Sequence, residues 1–190
     1  MLKSVENYAL VEIEKKFQDE TGGIAVDYTW HPEEHATLEG TVITAPLRTA
    51  SDDYRTILGT VKEGDKIFFS YGVIFQYDQQ PDEDTPIYSN LIIHEGKEYW
   101  RVEMGEIFCT VRDGVVQMVT DNILLEPVGE KTMYDQDARE LGIVVGMPPR
   151  KLSCEKGDTI AFESRFAQEY SFFDKIHYII PARRVVAKIS

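Results

Sequence analysis

One nine-residue pattern occurs twice in this chain, and it constrains the fold more than any other feature. Val61-Lys62-Glu63-Gly64-Asp65-Lys66-Ile67-Phe68-Phe69 returns 93 residues later as Cys154-Glu155-Lys156-Gly157-Asp158-Thr159-Ile160-Ala161-Phe162. In each copy a polar dipeptide precedes Gly-Asp, the signature of a turn, and apolar residues then alternate at period two. Ile67/Phe69 and Ile160/Phe162 are therefore predicted to share one face of a strand entered through that turn. Such a chain has to accommodate the same turn and strand in two places.

Further blocks recur in the same order. Leu10-Val11-Glu12 matches Leu124-Leu125-Glu126 at an offset of 114, and Gly40-Thr41-Val42 matches Gly142-Ile143-Val144 at 102. Tyr99 through Val111 matches His177 through Ile189 at 78. The offsets fall along the chain, so the second copy is shorter in its connections while the strand-like blocks are kept, as expected where strands are fixed and loops vary. The pattern predicts two domains, 1–114 and 115–190.

Most segments between these anchors also read as short strands. Tyr8 to Ile13 is an apolar run resolving into alternation, and Gly40 to Pro46 is a strand stopped by proline. The anchor strand is expected to continue through Ser70-Tyr71-Gly72-Val73-Ile74. Leu91 to His94 and Glu98 to Val102 flank a turn at Glu95-Gly96-Lys97, and Ile107 to Val111 closes the first half. Ser51-Asp52-Asp53 marks a hairpin tip, and residues 79–84, with Pro81 and three acids, read as a solvated insertion. Only Tyr134 to Leu141 has spacing that predicts a helical turn. Short strands at regular spacing predict an all-β protein, a pair of small β-barrels.

Composition narrows the functional class. With 190 residues, 43% of them hydrophobic, the chain is long enough to bury a core. A formal charge of -13 opposes phosphate backbones and anionic lipid, and Arg183-Arg184 is too short to serve as a basic patch. Neither nucleic acid nor membrane is expected as a partner. No signal-like start or apolar stretch of spanning length appears, which places the expected compartment in the cytoplasm. Cys109 and Cys154 stand in strand-like contexts without CxxC spacing and read as reduced structural thiols.

The order of the blocks resembles the GroES (chaperonin-10) co-chaperonin family, the lids of chaperonin rings. The matching elements are the opening strand at Ala9-Leu10-Val11-Glu12, a loop containing Gly22-Gly23-Ile24, the strand at Gly40-Thr41-Val42, a roof hairpin from Leu47 to Thr60, and the Val61 to Phe69 signature. Glu98 to Val111 supplies the closing segment, and the likeness returns from Asp121 to Ile189 without the loop. The resemblance implies two tandem, partly open GroES-like β-barrels. It also implies a non-enzymatic lid that binds the apical domains of a chaperonin ring through a mobile loop, Gly22, Gly23, Ile24, Ala25 and Val26. ATP would be bound by the chaperonin and not by this chain, and the lid would be a homo-oligomeric ring without cofactor or metal. Departures are the duplication, the acidic insertion, Ala25 where the family has a larger apolar residue, and the aromatic residues Tyr28 and Trp30.

Burying Ile24, Ala25 and Val26 would contribute ~4–6 kcal/mol. Ordering about six flexible residues costs roughly 1–2 kcal/mol each before backbone hydrogen bonds return part of it. One loop would bind weakly and several on one ring strongly, which makes oligomerisation part of the implied mechanism. The competing reading of Ile24 and Val26 is an ordinary strand core. A second functional reading keeps the fold as a non-chaperonin interaction or assembly module, with a phage as its candidate source.

The sharpest enzyme-like signal is His31-Pro32-Glu33-Glu34-His35, which fits H-x-x-E-H. That chemistry requires a helix holding both imidazoles on one face, a further ligand and a cleft, and no apolar face follows Pro32 to hold such a helix. No phosphate loop or nucleophile elbow is present. His94 and His177 lie among strand residues and read as structural.

Overall fold

A computed structural model describes residues 7–14, 20–21, 24–25, 38–47, 59–75, 90–129, 139–173 and 175–189. The protein is mostly β, with two large antiparallel sheets, and divides into two compact units, Met1–Val115 and Val116–Ser190. The strands up to the division are β1 (Tyr8–Glu12), β2 (Glu20–Thr21), β3 (Ile24–Ala25), β4 (Glu39–Thr44), β5 (Lys66–Phe69), β6 (Leu91–His94), β7 (Lys97–Glu103), β8 (Ile107–Arg112) and β9 (Val115–Met118). Those after it are β10 (Asn122–Val128), β11 (Arg139–Gly146), β12 (Thr159–Glu163), β13 (Gln168–Phe172), β14 (Lys175–Pro181) and β15 (Val185–Ile189).

The first large sheet has the order β6-β7-β1-β4-β5-β8-β9 and the second β13-β14-β10-β11-β12-β15. Apart from β9, the second order is the first with each strand replaced by its counterpart along the chain. The registers agree as well. Val11 faces Val42 and Glu12 faces Thr41, with a bulge between Leu10 and Val11. Leu125 faces Val144 and Glu126 faces Ile143, with a bulge between Leu124 and Leu125. The pairs β5–β8 and β12–β15 carry bulges at equivalent places, Phe68/Phe69 and Ala161/Phe162. Neither sheet is closed: β6 and β9 form the edges of one, β13 and β15 the edges of the other. Alternation in sequence predicts strands with a buried face equally well for an open sheet and a barrel, because closure depends on how the edge strands meet.

The buried residues follow the anchors. Ile67, Phe69, Ile160 and Phe162 are fully buried, each contributing about 1.5–3 kcal/mol by removal from water. In the second unit Ile160 and Phe162 join Ile123, Leu125, Val144, Tyr178 and Ile180 in one cluster, with the Phe162 and Tyr178 rings 5.8 Å apart between centroids. In the first unit Val11 on β1, Val42 on β4, Trp100 and Val102 on β7 and Ile107 on β8 are buried. The Gly-x-Val motif has a packing cause. A Cβ on Gly40 would press on Val11 Cγ1 and lie 2.8 Å from the Glu12 carbonyl oxygen, and one on Gly142 would lie 3.0 Å from Leu125 Cβ.

Two local expectations are corrected. The anchor strand stops at Phe69, and Gly72–Phe75 forms one helical turn. Ser70 directs this change: its hydroxyl accepts from the Gly72 N–H at 3.3 Å, and its carbonyl accepts from Val73 N–H at 3.1 Å. Within the segment expected to be helical, Arg139 and Leu141 belong to β11 and face Glu163 and Ala161 of β12. Pairing with a neighbouring strand overrides the local spacing there; residues 134–138 lie outside the described residues, as do most of the expected roof hairpin and the acidic insertion.

Candidate functional site

The recurring Gly-Asp turns are built alike. Gly64 and Gly157 have φ of 85° and 92°, a left-handed conformation that glycine adopts without the Cβ penalty. Their N–H groups donate to the Val42 and Val144 carbonyls, each at 2.8 Å. The aspartates close the turns: the Lys62 N–H donates to Asp65 Oδ2 and the Glu155 N–H to Asp158 Oδ2, both at 2.8 Å.

What secures each aspartate differs. Asp65 is buried and receives two guanidinium hydrogen bonds from Arg112, both at 2.6 Å, while the same guanidinium donates to the Thr60 carbonyl at 3.0 Å. Asp158 takes the Lys188 ammonium at 2.7 Å. That hydrogen bond, reinforced by the Glu155 N–H, holds the Asp158 carboxyl below its ordinary pKa, and the same contact raises Lys188. Both turns use their charge to fix backbone, which makes them structural.

The residues expected to bind a partner lie between β1 and β4. Ile24 and Ala25 form β3, which pairs antiparallel with β2: Glu20 faces Ala25 and Thr21 faces Ile24. Among the described residues the two strands make a sheet of their own and pair with neither large sheet. Gly22 and Gly23, which join them in the sequence, and Val26 lie outside the described residues. So do His31, Glu34 and His35 of the H-x-x-E-H pattern. Among the described residues, no three or more His, Cys, Asp or Glu side chains come together as a metal site.

The remaining nucleophiles and bases have quiet surroundings. Cys109 is buried, and burial pushes its thiol up to about 12. Cys154 is also raised, chiefly by burial. A thiol so shifted stays protonated and weakly nucleophilic near neutrality. The His177 ring is buried, with Nδ1 3.0 Å from the Lys175 carbonyl and its plane nearly perpendicular to the Phe172 ring, 5.4 Å between centroids. His94 ends β6 with Nε2 3.7 Å from Glu95.

One feature outside the sequence expectations brings together two short turns of the second unit. The 3-10 turns Ser164–Phe166 and Ala182–Arg184 place the Arg184 guanidinium 3.6 Å from the centre of the Phe166 ring, with that of Arg165 4.8 Å from it. Adjacency in sequence gives Arg183-Arg184 but not the aromatic ring under Arg184. The signal that would have found it is the offset of 78, which aligns Arg184 with Glu106 and so exposes a reversal of charge between equivalent turns. No helix among the described residues is long and apolar enough to cross a membrane. Compared with models of known protein families and with curated proteins, the chain matches none.

Proposed function

We propose that this chain is a tandem GroES-like co-chaperonin, a non-enzymatic cytoplasmic lid that assists protein folding inside a chaperonin ring. Each large sheet is, on this reading, the body of one partly open GroES-like barrel, and several copies assemble into a ring. The observation that carries the proposal is the β2–β3 pair. It is inserted between β1 and β4, holds Ile24 beside Gly22-Gly23 in sequence, and among the described residues pairs with neither large sheet. An apolar segment outside the ladders of both large sheets can dock elsewhere without breaking their strand pairing. The segment joining β10 to β11 contains no Gly-Gly-Ile sequence, so the first unit alone would contact the chaperonin.

Docking would bury Ile24, Ala25 and Val26 in an apolar groove between helices of the chaperonin apical domain, with nucleotide held by the chaperonin. Each loop contributes modestly, and multiple loops on one ring raise the effective concentration. The acidic composition suits an inner wall that does not adhere to an enclosed client. Ile24→Asp tests the contact, because a carboxylate cannot enter an apolar groove without a large desolvation cost. The variant is expected to lose binding to a chaperonin–nucleotide complex while retaining the parent circular dichroism spectrum. Binding equal to the parent would overturn the proposal and favour a chaperonin-independent assembly module.

A further inference from the structure

The Arg184 guanidinium carbon lies 3.6 Å from the centre of the Phe166 ring, and its Nε is buried with no hydrogen-bond partner among the described residues. Arg183, beside it, is exposed. Neither forms an ion pair among the described residues. Other arginines do hold carboxylates: Arg112 takes Asp65, Arg150 takes Asp121 and Arg165 takes Glu163. In a chain with 33 acids and 20 Lys and Arg, two adjacent guanidinium groups left without a carboxylate run against the composition.

The scaffold does not require them. The equivalent turn of the first unit, Met104–Glu106, has the same connection to its sheet, with Met104 N–H donating to the Asn7 carbonyl at 3.0 Å as Ala182 N–H donates to that of Asp121 at 3.0 Å. It carries Gly105 and Glu106 where the second carries Arg183 and Arg184. Stacking on an aromatic face orients a guanidinium, and with Nε buried it is the two terminal Nη groups that are left for bidentate recognition of a carboxylate.

The charge is also divided unequally. The first unit has 10 Lys and Arg against 22 Asp and Glu, a net of -12, and the second has 10 against 11, a net of -1. Contact between two first units is therefore repulsive. A basic turn on the second unit approaching a first unit is attractive. We propose that Arg183 and Arg184, backed by Phe166, form a docking surface for the acidic first unit of a second copy of this chain, a head-to-tail contact between copies. The inference deepens the ring assembly in the co-chaperonin reading and rests on it for there being several copies; its test contains no chaperonin.

Sedimentation velocity of the full chain over a range of concentrations, in about 50 mM and about 500 mM NaCl, measures it. The parent is expected to associate at low salt and to weaken about tenfold or more at high salt. The double variant Arg183→Gln/Arg184→Gln should lose about tenfold at low salt. Lys156→Gln, an exposed lysine in the Gly-Asp turn that enters β12 at the end away from Phe166, should associate as the parent does. Ile24→Asp should also associate normally, so failure of chaperonin binding and failure of assembly are read separately. Three results overturn the proposal: a monomer at every concentration and salt, association insensitive to salt, or assembly of the double variant at parent strength. Should the double variant fail to fold, the salt response of the parent still decides.

Discussion

Alanine at Gly64 and at Gly157 tests whether the two anchors are one structure used twice. Both glycines have φ near 90°, and a Cβ at either would meet no atom within 4 Å. The cost of alanine is thus conformational, without a steric contribution from neighbours, and amounts to about 1–2 kcal/mol for an L-residue held in the left-handed region. With a urea slope of about 2 kcal/mol/M, the midpoint should fall by roughly 0.5–1 M. Trp30 and Trp100 both belong to the first unit and the second has no tryptophan. Fluorescence therefore follows the unit containing Gly64, while far-ultraviolet circular dichroism follows both. Gly64→Ala should shift the fluorescence transition, and Gly157→Ala should lower stability by the same amount in the dichroism signal. Asparagine, which tolerates the left-handed region better, should cost less at both sites. An unchanged midpoint for either alanine variant, or costs differing by more than about 1 kcal/mol, would refute the shared backbone argument.

Alanine at Gly40 should act by crowding, since its methyl group meets Val11 and the Glu12 carbonyl across the β1–β4 pair; a loss of about 1–3 kcal/mol in urea denaturation is expected, and a neutral result would contradict the close approach. The Asp158–Lys188 contact sets a pH dependence. Because the folded-state pKa of Asp158 is lowered, its stabilisation is complete above the unfolded value of about 3.9 and is lost as pH falls through the folded value. Asp158→Asn should flatten the acid limb of a stability–pH profile; an unaltered limb would count against the pairing. Lys188 is raised, so its part is present below about 10.4 and lost as pH rises through the folded value.

The anchors were legible because a Gly-Asp turn followed by alternating apolar residues states both a backbone requirement and a buried face. Gly64, Asp65, Ile67 and Phe69 each occupy the place their chemistry demands. The turn at Glu95-Gly96 was legible for the same reason, with φ of 52° and 76° between β6 and β7. Tyr71 to Ile74 misled because a short apolar run fits either a strand or a buried helical turn, and the Ser70 hydroxyl and carbonyl decide it. Arg139 to Leu141 misled because β12 supplies hydrogen-bond partners that local spacing does not contain. Of the expected partner site, Ile24 and Ala25 form a strand pair with Glu20 and Thr21. Gly22-Gly23 is the sort of dipeptide that joins such strands, but no local signal says whether a hairpin will join the main sheet. The Arg184–Phe166 stack depends on two turns meeting after separate strands, and periodicity within one segment carries no trace of it.

The most direct test of the co-chaperonin reading is limited proteolysis of the full chain, alone and with a chaperonin ring and nucleotide. The account predicts preferential cleavage between Lys15 and Glu39 in the free chain and protection of that interval when chaperonin and nucleotide are both added. Cleavage there at the same rate with saturating chaperonin and nucleotide would contradict it.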